Sequence, residues 1–381
     1  MQYYKLLIVG NIYDNHIKRY IKHLKTFNPN VQIDILTIQR SFNDSEDLKE
    51  FVDTIHFYKP TISSLPLIGI FKRIFQFNRL LSKITSFRQY DIVNIHYPVY
   101  EQSFSVNHLK KLAKKIVLTP WGSDVYRVGN IKLKILKYLY RKTDYVCNPN
   151  TRFGRDVRRI FNLRKDQIVD LSIGSETIDY IIEHRNSISV KDARRKLSLE
   201  GDYYITCGYN ASPAQNHKAI IDGITKFAEQ FPGKISLLFP MTYPQNSEYV
   251  DEIKQYVRCK GLNAYFFTNY LDLPTLFLLR QSTDMFIHVQ DTDANAGSVQ
   301  EYLLLKKKVL NGEWLRYDNL EINGVIPYIL VKDLKSIGEA IEGATQQDPI
   351  MTQDLIEYIE SFGWNKWILK WDSFFQEITM K

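Results

Sequence analysis

Asp293 and Glu301 stand eight residues apart in the stretch Gln290-Asp291-Thr292-Asp293-Ala294-Asn295-Ala296-Gly297-Ser298-Val299-Gln300-Glu301. The run before it, Met285-Phe286-Ile287-His288-Val289, is apolar and strand-like. The run after it, Tyr302-Leu303-Leu304-Leu305, is helical in character and leads to Val309-Leu310. Strand, polar loop, helix and strand in that order put one acid in the loop and the other on the opening turns of the helix. A helix that starts where a parallel strand ends offers free N–H groups and a positive dipole end to a diphosphate. A carboxylate along that helix can accept hydrogen bonds from ribose hydroxyls, and one in the loop can accept them from a sugar. Ala296, Gly297 and Ser298 are small enough to leave the N–H groups near the phosphates open.

A second polar loop follows the strand-like run Tyr203-Tyr204-Ile205-Thr206-Cys207-Gly208 and contains Asn210, Asn216, His217 and Lys218. These residues offer a cation and polar donors just past a strand end, the place for a leaving diphosphate in a site without a metal. In the first half of the chain, Gly10-Asn11 ends the first strand, His16 follows closely, and His96 ends a later strand. Trp121-Gly122-Ser123-Asp124 forms a turn at a further strand end. Asp124, His16 and His96 are the groups there able to take a proton from an attacking hydroxyl.

The elements that must position these residues alternate along the chain. Strand-like runs at Tyr4–Val9, Val31–Leu36, Asp91–His96, Lys115–Thr119, Asp144–Asn148 and Gln167–Leu171 are separated by helical stretches. The pattern restarts near residue 200, through Tyr203–Gly208, Lys234–Phe239, Asn263–Phe267, Met285–Val289 and Val309-Leu310. Near-continuous apolar strands between helices predict an α/β architecture of doubly wound parallel sheets. A length of 381 residues suits two such domains. The expected boundaries are 1–185, 186–362 and a final helix over 363–381, with Glu183 to Lys191 as linker. Three scattered cysteines argue against a disulfide framework or a zinc site and suit a reducing compartment. No signal peptide or membrane span is expected, which predicts a cytoplasmic protein.

Several short segments carry a family resemblance. Tyr90-Asp91-Ile92-Val93-Asn94-Ile95-His96, Val117-Leu118-Thr119-Pro120-Trp121-Gly122-Ser123-Asp124, Thr143 to Asn148, Gln167 to Thr177 and Ser361-Phe362-Gly363-Trp364 resemble, in order, motifs of glycosyltransferase family 4. The Asp293–Glu301 spacing resembles that family's pair of acids, with Asp in the first place. The resemblance implies a GT-B fold of two Rossmann-like domains facing a cleft, with the last helix returning to the N-terminal, acceptor-binding domain. It implies that Glu301 holds the ribose, that Asp293 contacts the donor sugar, and that Gly208, Asn210, Asn216, His217, Lys218, Ala296, Gly297 and Ser298 line the donor site. Gly10, Asn11, Trp121, Gly122 and Ser123 fall on the acceptor side. Trp121 replaces the family's His, and the loop after Gly208 lacks the family's Arg. That loop resembles the one in bacterial enzymes that transfer 4-acetamido-fucose to a lipid-linked acceptor and invert the anomeric centre.

The implied reaction is transfer of a hexosyl group from a nucleotide sugar to a saccharide or polyprenyl-linked acceptor, as in bacterial surface polysaccharide assembly. Retention is favoured over inversion, and no metal or other cofactor is expected. Asp291-Thr292-Asp293 also spells the D-x-D of metal-dependent enzymes, but it falls late in a repeated Rossmann-like pattern. Rival readings are a nucleotide-sugar 2-epimerase and a catalytically inactive partner subunit. Residues 1–190 carry a net charge of +13 and the rest −5. The run Leu65 to Lys83 interleaves Phe, Leu and Ile with cations, and Lys110-Lys111, Lys114-Lys115, Lys132, Lys134 and Lys137 add to it. Such a basic, amphipathic face suits peripheral contact with an anionic membrane, on the inner face of the plasma membrane. No motif points to nucleic acid.

Overall fold

The computed structural model describes residues 3–38, 46–58, 66–147, 151–228, 231, 233–294 and 297–380. The chain divides into two compact units, Met1–Gly174 with Trp364–Lys381, and Ser175–Gly363.

In the first unit the order is β1 (Lys5–Val9), α1 (Asn15–Phe27), β2 (Gln32–Ile38), β3 (Thr54–Tyr58), α2 (Pro66–Phe87), β4 (Tyr90–His96), α3 (Val106–Leu112), β5 (Ala113–Thr119), α4 (Ser123–Tyr126), α5 (Asn130–Lys142), β6 (Tyr145–Cys147), α6 (Arg152–Phe161) and β7 (Ile168–Val169). The second unit runs α7 (Glu176–His184), α8 (Val190–Lys196), β8 (Tyr203–Cys207), α9 (His217–Ala228), β9 (Ile235–Pro240), α10 (Ser247–Cys259), β10 (Asn263–Phe267), α11 (Leu273–Ser282), β11 (Met285–His288), α12 (Gly297–Leu304), β12 (Lys308–Gly312), β13 (Ile329–Val331), α13 (Ile337–Thr345) and α14 (Gln353–Glu360). The final helix, α15 (Trp364–Met380), belongs to the first unit.

Both sheets are parallel, with orders β3-β2-β1-β4-β5-β6-β7 and β10-β9-β8-β11-β12-β13. The winding reverses between β1 and β4 in one and between β8 and β11 in the other, and such a reversal opens a crevice beyond the carboxyl ends of the strands. Gly10 and His96 stand at the first reversal, and Gly208 and His288 at the second.

Local chemistry sets the helix starts. Asp14 accepts from the His16 N–H, Thr151 from Gly154, Ser175 from Ile178 and Asp272 from Thr275, each a side chain meeting an otherwise orphaned donor. Helix α15 contributes Trp364, Trp367, Trp371, Phe374 and Phe375 to the core under β1, β2 and β4. The Trp371 indole donates to the Ser172 carbonyl, and buried Asp372 accepts from the Tyr4 hydroxyl and the Asn28 amide.

The structure departs from the sequence expectations in identifiable places. Strands β3 and β13 were not predicted, because Thr54–Tyr58 is half-buried and Ile329–Val331 is only three residues long. β7 is two residues rather than five. The boundary falls earlier than residue 185, since Ile178 and Ile181 of α7 sit in the core of the second unit.

Candidate functional site

At the reversal in the first unit, a cavity of about 550 Å³ is lined by Gly10, Asn11, Asp14, His96, Tyr97, Trp121 and Ser123 on one side. Arg73, Ile74 and Phe77 of α2, with Tyr58 and Glu101, line the other. Gly10 is small because a Cβ there would meet the Ile17 side chain at 3.0 Å and His96 Cβ at 3.6 Å. The Trp121 ring lies edge-on to His16, His96 and Tyr97, with centroids 5.5, 6.1 and 6.3 Å away. Ser123 donates to the Tyr97 hydroxyl at 3.3 Å. Arg73 pairs with Glu101 at 3.0 Å, which puts an ion pair on an otherwise largely apolar wall.

His96 is buried, and burial lowers its pKa to about 3, so the imidazole is neutral. Neither of its ring nitrogens has a hydrogen-bond partner among the described residues. His16 is exposed on α1 and meets the Trp121 ring edge-on.

Asp124 is buried on the first turn of α4, and its Oδ2 has no hydrogen-bond partner among the described residues. Its Oδ1 accepts from the Trp121 and Gly122 N–H groups at 3.0 and 2.8 Å, so the carboxyl closes its own turn. Gly122 has φ 121°, a conformation open chiefly to glycine. Burial pushes Asp124 up to about 6, against the pull of the backbone N–H groups. It does not line the cavity.

In the second unit the loop after β8 is a braced structure. Gly208 has φ +63°, and a Cβ there would strike Gln215 Oε1 at 2.7 Å. Gln215 Nε2 donates to Gln290 Oε1 at 2.7 Å, and Gln290 also pairs with the Tyr209 hydroxyl. Asn210 Oδ1 accepts from Ser212 N, and Asn216 Nδ2 donates to the Val289 carbonyl and to Asp291. His217 is buried, bonded to the Tyr249 hydroxyl at 3.0 Å, and lowered to about 4 by burial. These residues hold the shape of the loop.

Lys218 also departs from its expected place. It is paired with Glu252 of α10 and lies over the Tyr256 ring, 5.4 Å from the centroid. It is thereby directed along the α9–α10 surface, because the second residue of α9 faces α10.

The acids do come to the expected elements. Asp293 lies beyond β11, and its Oδ2 accepts from the Tyr317 hydroxyl at 2.7 Å while Oδ1 accepts from Ala294 N at 2.8 Å. Glu301 is buried on α12, with Oε2 accepting from Arg280 Nε at 2.9 Å. Arg280 is itself buried and donates to the Tyr302 hydroxyl at 2.8 Å. Burial opposes its charge, yet Tyr302 and Glu301 raise its pKa overall. A Cβ at Gly297 would lie 3.8 Å from Glu301 Oε1, so this second oxygen looks toward the start of α12. Gly297 opens that helix and Ser298 is mostly buried behind it. Ala296 lies outside the described residues.

The sequence missed Arg280, Tyr317, Gln215, Gln290 and His288. The only signal for them was position: His288 ends a predicted strand, as His96 does, and a strand end at a winding reversal is where ligands are met. Among the described residues no group of three or more His, Cys, Asp or Glu is arranged to hold a metal ion.

Residues 5–150 match the family model described as glycosyl transferase 4-like. No curated protein matches the sequence. Among solved structures, a glycosyltransferase from Rickettsia africae is similar at 15% identity, with 99% of each chain covered and a TM-score of 0.69. Sucrose-phosphate synthase from Thermosynechococcus elongatus is similar at 14% identity, covering 98% of this chain and 99% of its own, with a TM-score of 0.73. Anabaena HepE in complex with UDP and glucose is similar at 12% identity, covering 98% of this chain and 100% of its own, with a TM-score of 0.66. The chain has the fold of the GT-B glycosyltransferases, and its residues 5–150 are glycosyl transferase 4-like in sequence.

Proposed function

We propose that this chain is a glycosyltransferase of hexosyl type, with the nucleotide-sugar donor held by the second unit and a saccharide or lipid-linked saccharide acceptor held by the first. The observation that carries the reading is the pair Asp293 and Glu301, each fixed by a named partner at the carboxyl end of β11 and on α12. Two anchored carboxylates beside a helix start suit hydroxyl groups and a diphosphate together. In the reaction the bond between the sugar's anomeric carbon and the phosphate oxygen breaks, the acceptor oxygen bonds to that carbon, and the acceptor proton leaves.

Retention is the stereochemistry this chain supports better. Asp124 does not line the cavity and His96 is a weak base with a pKa near 3, so the departing phosphate is the better proton acceptor. A metal-free site and a place in surface polysaccharide assembly are parts of the same proposal. So is membrane contact through α2, where exposed Ile68, Phe71 and Phe75 share a face with exposed Lys72, Arg79 and Lys83. No helix among the described residues is long and apolar enough to cross a membrane.

One observation favours a second reading, a catalytically inactive binding partner: Lys218 is committed to Glu252. Thermal shifts with UDP, GDP, dTDP and CMP and their sugars, with and without EDTA, test the main reading. A shift for one nucleotide that survives EDTA and is lost in Glu301→Gln is expected. No shift with any of them would sink the donor site, and donor binding without turnover would favour the inactive partner.

A further inference from the structure

His288, the last residue of β11, is fully buried. Its Nδ1 lies 2.9 Å from Oδ1 of Asn311, its in-register neighbour on β12. Asn311 Nδ2 donates to the Gly312 carbonyl at 3.1 Å, which turns Oδ1 toward the imidazole. Nδ1 is therefore the donor, and Nε2 of the neutral ring presents a lone pair. Burial favours that neutral form, against the pull of Asp293 and Asn311. Nε2 makes no hydrogen bond among the described residues and lies 3.6 Å from Asp293 Oδ2. The rings of Tyr209, Phe286 and Tyr317 surround the imidazole, with centroids 5.8, 5.8 and 6.2 Å away.

Two acceptors thus stand side by side with no hydrogen between them. A buried acceptor without a donor is costly, and a ligand that brings the missing hydrogens recovers that cost. The Asp293 side chain is 15% exposed, so the pair adjoins solvent. The O–H groups on neighbouring carbons of a sugar supply two donors at such a spacing.

We infer that His288 is a specificity residue which, with Asp293, accepts the hydrogens of a vicinal diol on the donor sugar. This rests on the donor-site reading of Asp293. A sugar lacking the hydroxyl that faces Nε2 leaves that nitrogen unpaired and is discriminated against, whereas Asp293 Oδ2 keeps the bond it accepts from Tyr317.

Calorimetric titrations with UDP and UDP-glucose, dTDP and dTDP-glucose, and GDP and GDP-mannose test it in the wild type and in His288→Phe. For the nucleotide that binds, the hexose conjugate is expected to bind the wild type about ten-fold more tightly, equal to about 1.4 kcal/mol. His288→Phe should lose that gain and keep its affinity for the bare nucleotide. A gain that survives in His288→Phe, or is absent from the wild type, overturns the role of His288 alone. Failure of every nucleotide to bind the wild type overturns the donor site and the inference with it. If His288→Phe does not fold, imidazole nitrogen-15 resonances of the wild type decide. A bare Nε2 whose resonance moves with the hexose conjugate and not with the nucleotide is expected, and an Nε2–H tautomer in the free protein overturns the inference.

Discussion

Glu301 cannot be read as a free acid waiting for ribose, because it also neutralises Arg280 in the interior. Removing one partner of a buried pair typically costs about 3–5 kcal/mol. Glu301→Ala should therefore lower the urea midpoint of the second unit sharply, whereas Glu301→Gln, which still accepts from Arg280, should lower it less. Equal midpoints for the two variants would show that the pair does not stabilise the fold. His96 and Asp124 make opposite contributions to acid stability. The His96 pKa is depressed by burial to about 3, so its contribution is complete above its ordinary value near 6.5 and is lost as pH falls toward 3. Asp124 is raised to about 6, so the folded state holds its proton and loses stability as pH rises from about 4 to 6. Over that window the two slopes oppose each other. Asp124→Asn, whose Oδ1 can still accept from Trp121 and Gly122, should make unit 1 more steeply acid-sensitive without abolishing sugar transfer. His96→Phe should do the reverse to the pH profile, and denaturation midpoints between pH 4 and 7 check both. The acids were legible because their spacing is local. Arg280 and Tyr317 were not, since they reach Glu301 and Asp293 from other elements. The direction of Lys218 was hidden for the same reason: it depends on where α10 lies.

Among the elements, α2 has two roles on two faces. Arg73, Ile74 and Phe77 form a wall of the cavity, and Ile68, Phe71 and Phe75 are exposed, the last two at 71% and 67%. If that outer face meets an anionic surface, each cation near it is worth about 1 kcal/mol. Replacing Lys72, Arg79 and Lys83 by Ser should weaken sedimentation with phosphatidylserine vesicles on the order of 100-fold. Phe71→Ser with Phe75→Ser should weaken binding at high salt as well. Undiminished binding in both variants would dismiss the membrane role. The amphipathic pattern showed this helix in the sequence, although Leu65, where the predicted run begins, lies outside the described residues. Strands with long apolar runs, such as β1 and β4, were equally plain. β3 was not, because its five residues are all exposed or half-buried and Thr-Ile-His-Phe-Tyr gives no clear face.

At the scale of the molecule, two parallel sheets with matching winding reversals were foreseeable from the restart near residue 200, and the exact division of the chain was not. Seven residues of α15, Trp364, Trp367, Ile368, Trp371, Asp372, Phe375 and Ile378, are at most 5% exposed within the first unit. Truncation after Gly363 should leave hydrogen-exchange protection in the second unit and remove it from the first. Protection that survives in β1 and β4 would show that α15 is an accessory rather than part of that core. The same helix gives the chain an order of assembly on the ribosome. Residues 364–381 emerge only after all of Ser175–Gly363 has been made, so the second unit can mature while the first still lacks its closing helix. A prematurely terminated chain would leave Tyr4, Tyr20 and the faces of β1 and β2 uncovered, a surface that chaperones or proteases can recognise.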